Sequence, residues 1–354
     1  MGLGTPPQWF TVLCDTGSPV TWVPSASWCA GAPGCGGHKG FDANASSSDV
    51  PGGAQVAVQY GDGTGIGGAF TGDTVHLGGL VVPNVQVALA DQGTAPASGV
   101  FDGLLGLGLA SGVPPGVVAA AFAQGLLAAP LFSFWLNPDQ LQPEDGGELL
   151  LGGVDEAHAA GPWTWANVTS DTLGGWPVQM EGVWVGQTQV APAAVAAADT
   201  GTSLILGPPD QVAALYDAIN AALRGVEGNC AAARLRAPDV AFGVGGARLV
   251  LTPKQYLRGG GCEAAFAPVT FANVPEGYPT WLLGDAFLGA YTTVFDMQLG
   301  RVGFAQASEG RRVTAGQAQV AAWMGWHLAA LVLGVIVIYV LAVEVSRDST
   351  RPQT

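Results

Sequence analysis

The chain has 354 residues, a formal net charge of −15 and only two lysines, Lys39 and Lys254. This balance excludes a nucleic-acid binder, which needs basic surface, and few basic groups mean little added repulsion when carboxylates protonate, so the chain tolerates low pH. Fifty-four glycines and 24 prolines suit many short strands joined by tight turns, which predicts an all-β architecture.

In chain order, the apolar run from Phe10 to Cys14 predicts a buried strand leading into Asp15-Thr16-Gly17-Ser18. Gly61-Asp-Gly-Thr-Gly65 sits in an apparent hairpin rather than between a strand and a helix, which argues against a phosphate loop. Leu104-Leu105-Gly106 follows, with a weak helical pattern from Pro115 to Gln124. A second apolar run, Ala194 to Ala198, enters Asp199-Thr200-Gly201-Thr202. The clearest helix spans Pro208 to Leu223, where Val212, Leu215, Tyr216, Ile219 and Leu223 recur at helical spacing. Leu282-Leu283-Gly284 completes the series.

These segments form an internal repeat. The apolar-Gly phrase trails its Asp-Thr-Gly phrase by 89 residues in one copy (15 to 104) and by 83 in the other (199 to 282). Two related lobes are therefore expected, each offering one aspartate to a shared site. Paired ordinary turns are the alternative, because Asp-Thr-Gly is good turn chemistry. Two carboxylates within hydrogen-bonding distance cannot both ionise comfortably, so they share one proton over a range of acidic pH. The charged member can take a proton from water while the protonated member polarises a carbonyl, which is general acid–base hydrolysis without a covalent intermediate. Gly17 and Gly201 permit close backbone approach. The hydroxyls of Thr16, Ser18, Thr200 and Thr202 can hold the loops and orient the carboxylates.

Taken together, the motifs resemble the pepsin-like (pepsin and cathepsin D) family of aspartic endopeptidases from about Leu3 to Ala305. The resemblance rests on Gly2 to Phe10, Asp15-Thr-Gly-Ser18 with Trp22-Val-Pro24, and Tyr60-Gly-Asp-Gly63. It continues through Phe101 to Gly108, Leu150 to Asp155, Trp281 to Phe287 and Tyr291 to Asp296. It implies a bilobal β fold with a first lobe over residues 1–160 and a second over 161–306. It implies that Asp15 and Asp199 are the catalytic pair and that Tyr60 covers the cleft with its hydroxyl directed at Trp22. Gly61 and Asp62 would hydrogen-bond the substrate backbone. Leu13, Tyr60, Phe101 and Leu104 would line a pocket for a bulky hydrophobic residue, although plain core packing also explains Phe101 and Leu104. The implied disulfides are Cys29–Cys35 and Cys230–Cys262. Cys14 is left over, and is either an inert core thiol or a nucleophile. Pro19 and Val20 depart from the small or polar residues usual after the first motif.

The paired cysteine spacings favour an oxidising compartment over a cytosolic protein with five reduced thiols. The sequons at Asn44 and Asn167 agree as glycosylation candidates. The four histidines, His38, His76, His158 and His327, are scattered without metal-ligand spacing, and neither a metal nor another cofactor is expected. Protein or peptide substrates and a monomeric state are expected.

From Val320 to Val343 the chain is apolar apart from His327. At 1.5 Å per residue this run reaches about 36 Å, enough to cross a hydrocarbon core. The expected plan is a linker over 307–319, a transmembrane helix over 320–343 and a cytosolic tail over 344–354, similar to membrane-anchored aspartic proteases. Arg311 and Arg312 before the span nearly balance Arg347 and Arg351 after it. The disulfides and sequons therefore set the orientation, with the catalytic body luminal or extracellular. A lipid-anchor signal would end in the apolar run, whereas here a polar tail continues. No signal peptide or prosegment is read in these 354 residues, and the family's strand before Leu3 is missing, so the start reads as truncated. A catalytically dead binding module on the same fold is the competing function, and a tethered structural protein is a third. The doubled aspartate motif disfavours both.

Overall fold

A computed structural model describes residues 1–31, 35, 37–60, 64–94, 101–137, 146–170, 174–226, 229–258, 262–270, 280–308 and 319–320. Three large sheets organise these residues. An eight-stranded sheet belongs to the first lobe and another to the second. A six-stranded antiparallel sheet joins the lobes, drawing Leu131–Leu136 and Gly147–Leu151 from the first and Thr164–Asn167, Tyr291–Asp296 and Arg301–Gln306 from the second.

The internal repeat is also a repeat of strand pairing. In the first lobe, Val12–Asp15 runs parallel to Gly103–Gly106, with Leu13 opposite Leu104, Cys14 opposite Leu105 and Asp15 opposite Gly106. In the second lobe, Ala194–Ala198 runs parallel to Trp281–Leu283, with Ala197 opposite Leu282 and Ala198 opposite Leu283. The near-equal spacings in sequence thus arise because each aspartate strand is threaded beside its own Leu-Leu-Gly strand. Both Leu-Leu-Gly strands are buried along their length, and each aspartate strand becomes buried as it approaches its motif.

The sheet between the lobes carries an aromatic core. Phe132 stacks on Phe295 at 4.9 Å, and Trp176 packs edge-on against both at 5.8 and 5.2 Å. Buried Trp176 also donates its indole N–H to the carbonyl of Leu107, tying this core to the first motif's partner strand. The predicted Pro208–Leu223 helix is observed as Pro209–Leu223, burying Val212, Leu215 and Ile219. The weaker helix is shorter than expected, Val117–Ala123, because Gly116 takes an extended conformation at its start.

The expected strand Phe10 to Cys14 begins at Val12 and runs into Asp15 itself. Val320 is corrected as well. It is not the first residue of a helix but lies in the strand Gln319–Val320, which pairs with Leu149 and Leu150 at an edge of the sheet between the lobes. The rest of the proposed span, 321–343, and the tail lie outside the described residues. Among the described residues, no helix is long and apolar enough to cross a membrane.

Candidate active site

The two Asp-Thr-Gly loops meet head to head and interlock. The Thr16 N–H donates to Thr200 Oγ1 at 3.0 Å, and the Thr200 N–H donates to Thr16 Oγ1 at 3.0 Å. Each hydroxyl then reaches across to the opposing strand. Thr16 Oγ1 donates to the Ala198 carbonyl at 2.9 Å, and Thr200 Oγ1 donates to the Cys14 carbonyl at 2.7 Å. Both threonines are buried, so these bonds act in a medium of low dielectric that strengthens them. The chain separation bridged is more than 180 residues, and the bonds fix one lobe's motif against the other's.

This lock sets Asp15 and Asp199 against each other. A Cβ added to Gly17 would lie 2.6 Å from Asp199 Oδ1, and one added to Gly201 would lie 2.5 Å from Asp15 Oδ1. Glycine is therefore required at both positions by the opposite carboxylate. The Gly17 N–H donates to Asp15 Oδ1 and the Gly201 N–H to Asp199 Oδ1, each at 2.8 Å. The two carboxyls are fully buried. Burial holds the Asp199 carboxyl above its ordinary range, opposed by hydrogen bonds from Thr202, Gly201, Asp15 and Gly17. A buried, facing carboxyl pair of this kind retains a proton where an isolated carboxyl would lose it.

The outer hydroxyls are not equivalent. Thr202 Oγ1 donates to Asp199 Oδ2 at 2.7 Å. Ser18 Oγ instead accepts from the Val20 N–H at 3.4 Å. The departure at Pro19 and Val20 thus coincides with an asymmetric surround. Cys14 is buried beside the pair, and burial pushes its thiol up to about 12. This disfavours the thiolate that a nucleophile needs and favours an inert core thiol.

Leu13, Trp22, Tyr60 and Leu104 meet in one apolar cluster with Val20, Ile66 and Phe70. The Trp22 indole N–H donates to the Tyr60 hydroxyl. Tyr60 closes the hairpin of Val50–Gln59 and Gly65–Leu77, where Gln59 pairs with Gly65 and the Tyr60 N–H bonds to the Thr64 carbonyl. Gly61 and Asp62 lie outside the described residues. Phe101 is half-buried two residues before the Gly103–Gly106 strand. Disulfides join Cys29 to Cys35 and Cys230 to Cys262. Asn44 and Asn167 are exposed.

Asp285 escaped the sequence reading. Its backbone N–H donates to the Thr202 carbonyl at 2.8 Å, which puts it directly behind the second motif. It is buried, and desolvation pushes its carboxyl up to about 8 against the pull of Arg258, with the Asp199 charge adding to the rise. A carboxylate immediately after the Leu-Leu-Gly phrase was the available signal.

The eukaryotic aspartyl protease family profile matches residues 1–307. The chain is 40% identical to napsin-A of Homo sapiens over 87% of this chain and 76% of that protein. It is 36% identical to cathepsin D of Clupea harengus, over 87% of this chain and 80% of the relative, and 36% identical to pepsin-2B of Gadus morhua, over 87% and 95%. With the interlocked motifs and the facing aspartates, these matches identify the chain as a member of the eukaryotic aspartyl protease family, a peptidase of the aspartic type.

Proposed function

We propose that the chain is a membrane-anchored endopeptidase in which Asp15 and Asp199 share one proton and activate water at acidic pH. The observation that carries this reading is that each motif glycine lies so close to the opposite carboxylate that an added Cβ would come within 2.5 or 2.6 Å of it, which turns both carboxyls toward one shared site where a water can bridge them. The ionised carboxyl takes a proton from that water, and the protonated one donates to the scissile carbonyl oxygen. The water oxygen attacks the carbonyl carbon, and the resulting diol collapses as the amine leaves with a proton. Because the pair titrates as a unit, the proton belongs to neither residue alone. Thr16 and Thr200 position the loops, Thr202 orients Asp199, and Ser18 holds the turn after Asp15.

The apolar cluster of Leu13, Trp22, Tyr60 and Leu104, with Phe101 beside the same strand, supports a preference for a bulky hydrophobic residue next to the scissile bond. Gly61 and Asp62 bind substrate backbone from the hairpin tip. The apolar run supports anchoring by residues 321–343, about 34 Å as a helix. Two disulfides support an oxidising, luminal or extracellular location for the catalytic body, compatible with sugar on exposed Asn44 and Asn167 and a cytosolic tail over 344–354. We take the protein to act as a monomer.

The test is cleavage of a fluorogenic peptide with a bulky hydrophobic residue before the scissile bond, from pH 3 to 7, with and without pepstatin. Acid-dependent cleavage blocked by pepstatin is expected. A folded protein that binds such peptides without cutting them would replace this reading with the binding module.

A further inference from the structure

A second cluster of ionisable side chains lies away from the aspartate pair, where the chain crosses from one lobe to the other. Glu148 sits on Gly147–Leu151, directly opposite Trp135 on the neighbouring strand. Asp155 caps the short 3-10 turn Glu156–His158, its Oδ1 accepting the Ala157 N–H at 2.9 Å. His158 closes that turn and is buried. Its ring lies flat on the Trp135 indole, with centroids 4.0 Å apart and planes 10° from parallel. The His158 carbonyl accepts from the Ser308 N–H and from Thr292 Oγ1, so its backbone is held from the second lobe as well. The imidazole is therefore fixed in position and in plane before any ligand arrives.

The ring nitrogen faces two carboxylates. His158 Nε2 is 4.0 Å from Glu148 Oε1 and 3.9 Å from Asp155 Oδ2. Both separations exceed hydrogen-bonding reach, yet the three donor atoms all lie within 4.8 Å of one another. Asp155 Oδ2 is shielded from solvent and accepts no hydrogen bond among the described residues. No lysine or arginine pairs with either carboxylate among the described residues. Burial, with the Asp155 charge adding to it, holds the Glu148 carboxyl above its ordinary range, as expected where negative charge gathers without a cation.

We propose that Glu148, Asp155 and His158 form a binding site for a divalent transition metal of the zinc type, distinct from the aspartate pair. One imidazole nitrogen and two carboxylate oxygens are a donor set that suits zinc, whose bonds of about 2.0–2.2 Å set tetrahedral donors about 3.4 Å apart. The two spacings from His158, 4.0 and 3.9 Å, need to contract by roughly 0.5 Å to close on the ion. Trp135 supplies the apolar wall that keeps the ring in plane. The sequence expectation of no metal followed from histidines far apart in the chain, but the site uses only one histidine and draws one oxygen from a neighbouring strand and the other from the cap of the histidine's own turn. A metal here ties the last strand of the first lobe to the crossover turn, and through Ser308 to the end of the catalytic body.

The experiment is calorimetric titration of zinc chloride into the detergent-solubilised full chain at pH 7, with magnesium chloride as the comparison. Asp15→Asn and Asp199→Asn are introduced to prevent self-cleavage and remove the aspartate pair as a ligand. One saturable zinc site is expected, with a melting temperature that rises as it fills. Glu148→Gln and His158→Gln should each weaken it by about 100-fold or more, since outer-shell changes alone cost 10–100-fold. Glu148→Gln keeps side-chain size at a partly exposed position and serves as the check if His158→Gln folds poorly. Absence of saturable zinc binding by the folded chain would overturn the proposal, as would binding unchanged in Glu148→Gln. Magnesium binding as tight as zinc would also overturn the zinc-type assignment.

Discussion

Replacing Thr200 by valine keeps the side-chain shape and removes one oxygen from the interlocked loops. That oxygen accepts from the Thr16 N–H at 3.0 Å and donates to the Cys14 carbonyl at 2.7 Å. Thr16 and Thr200 are both buried, so water cannot substitute. Orphaning the Thr16 N–H costs about 1–3 kcal/mol, and losing the bond to Cys14 adds about 1 kcal/mol. The expected loss is about 2–4 kcal/mol, a fall in melting temperature of about 3–6 °C for a body of this size. Activity should fall further than stability explains, because a displacement of about 1 Å between reacting groups costs about 100-fold in rate. Thermal unfolding by circular dichroism and kcat/KM on a fluorogenic peptide, both well below the melting point, separate the two effects. Thr200→Val within about 0.5 kcal/mol of the parent, the range of an ordinary surface substitution, and with full activity would refute the claim that these bonds set the aspartates against each other.

Thr202→Val removes the hydroxyl that donates to Asp199 Oδ2, a bond that favours the ionised form. The pH–activity profile should move to higher pH, and an unmoved profile would separate Thr202 from the titrating pair. Asp285 has its folded pKa raised from 3.8 to about 8, so the native state binds a proton that the unfolded chain has released across that interval. Its contribution to stability is fully present below pH 4 and is lost as pH rises through about 8. Melting temperatures measured from pH 4 to 9 should decline, and Asp285→Asn should flatten the decline; an equal slope in both proteins would count against it. Replacing Cys230 and Cys262 together by alanine opens a loop of 32 residues, with an expected loss of about 3–4 kcal/mol from loop entropy. Denaturant unfolding with an unchanged midpoint would contradict that figure.

The aspartate site was legible because its signals are local and doubled. Asp15-Thr-Gly and Asp199-Thr-Gly each carry their own carboxylate, hydroxyl and glycine, and the parallel pairing of each with a Leu-Leu-Gly strand explains the spacing that exposed the repeat. The Pro209–Leu223 helix was legible from apolar period, since one face of it is buried. What remained hidden depends on contacts across the chain. The asymmetry between Ser18 and Thr202 follows from backbone after the motif, where Pro19 offers no N–H and Val20 turns toward Ser18. Asp285 reads in sequence as a surface acid, and only the fold of the second motif buries it. Trp176 gives no sign in sequence of reaching Leu107 in the other lobe. Val320 was read as the start of a span because hydropathy does not register that an edge of the sheet between the lobes pairs with it.

The central claim is that Asp15 and Asp199 act as one acid–base unit. The most direct measurement is peptide cleavage at acidic pH by Asp15→Asn and Asp199→Asn, each shown by circular dichroism and melting temperature to fold as the parent does. Cleavage lost in both, by about 100-fold or more, is the predicted result. Turnover retained in either folded variant would contradict it.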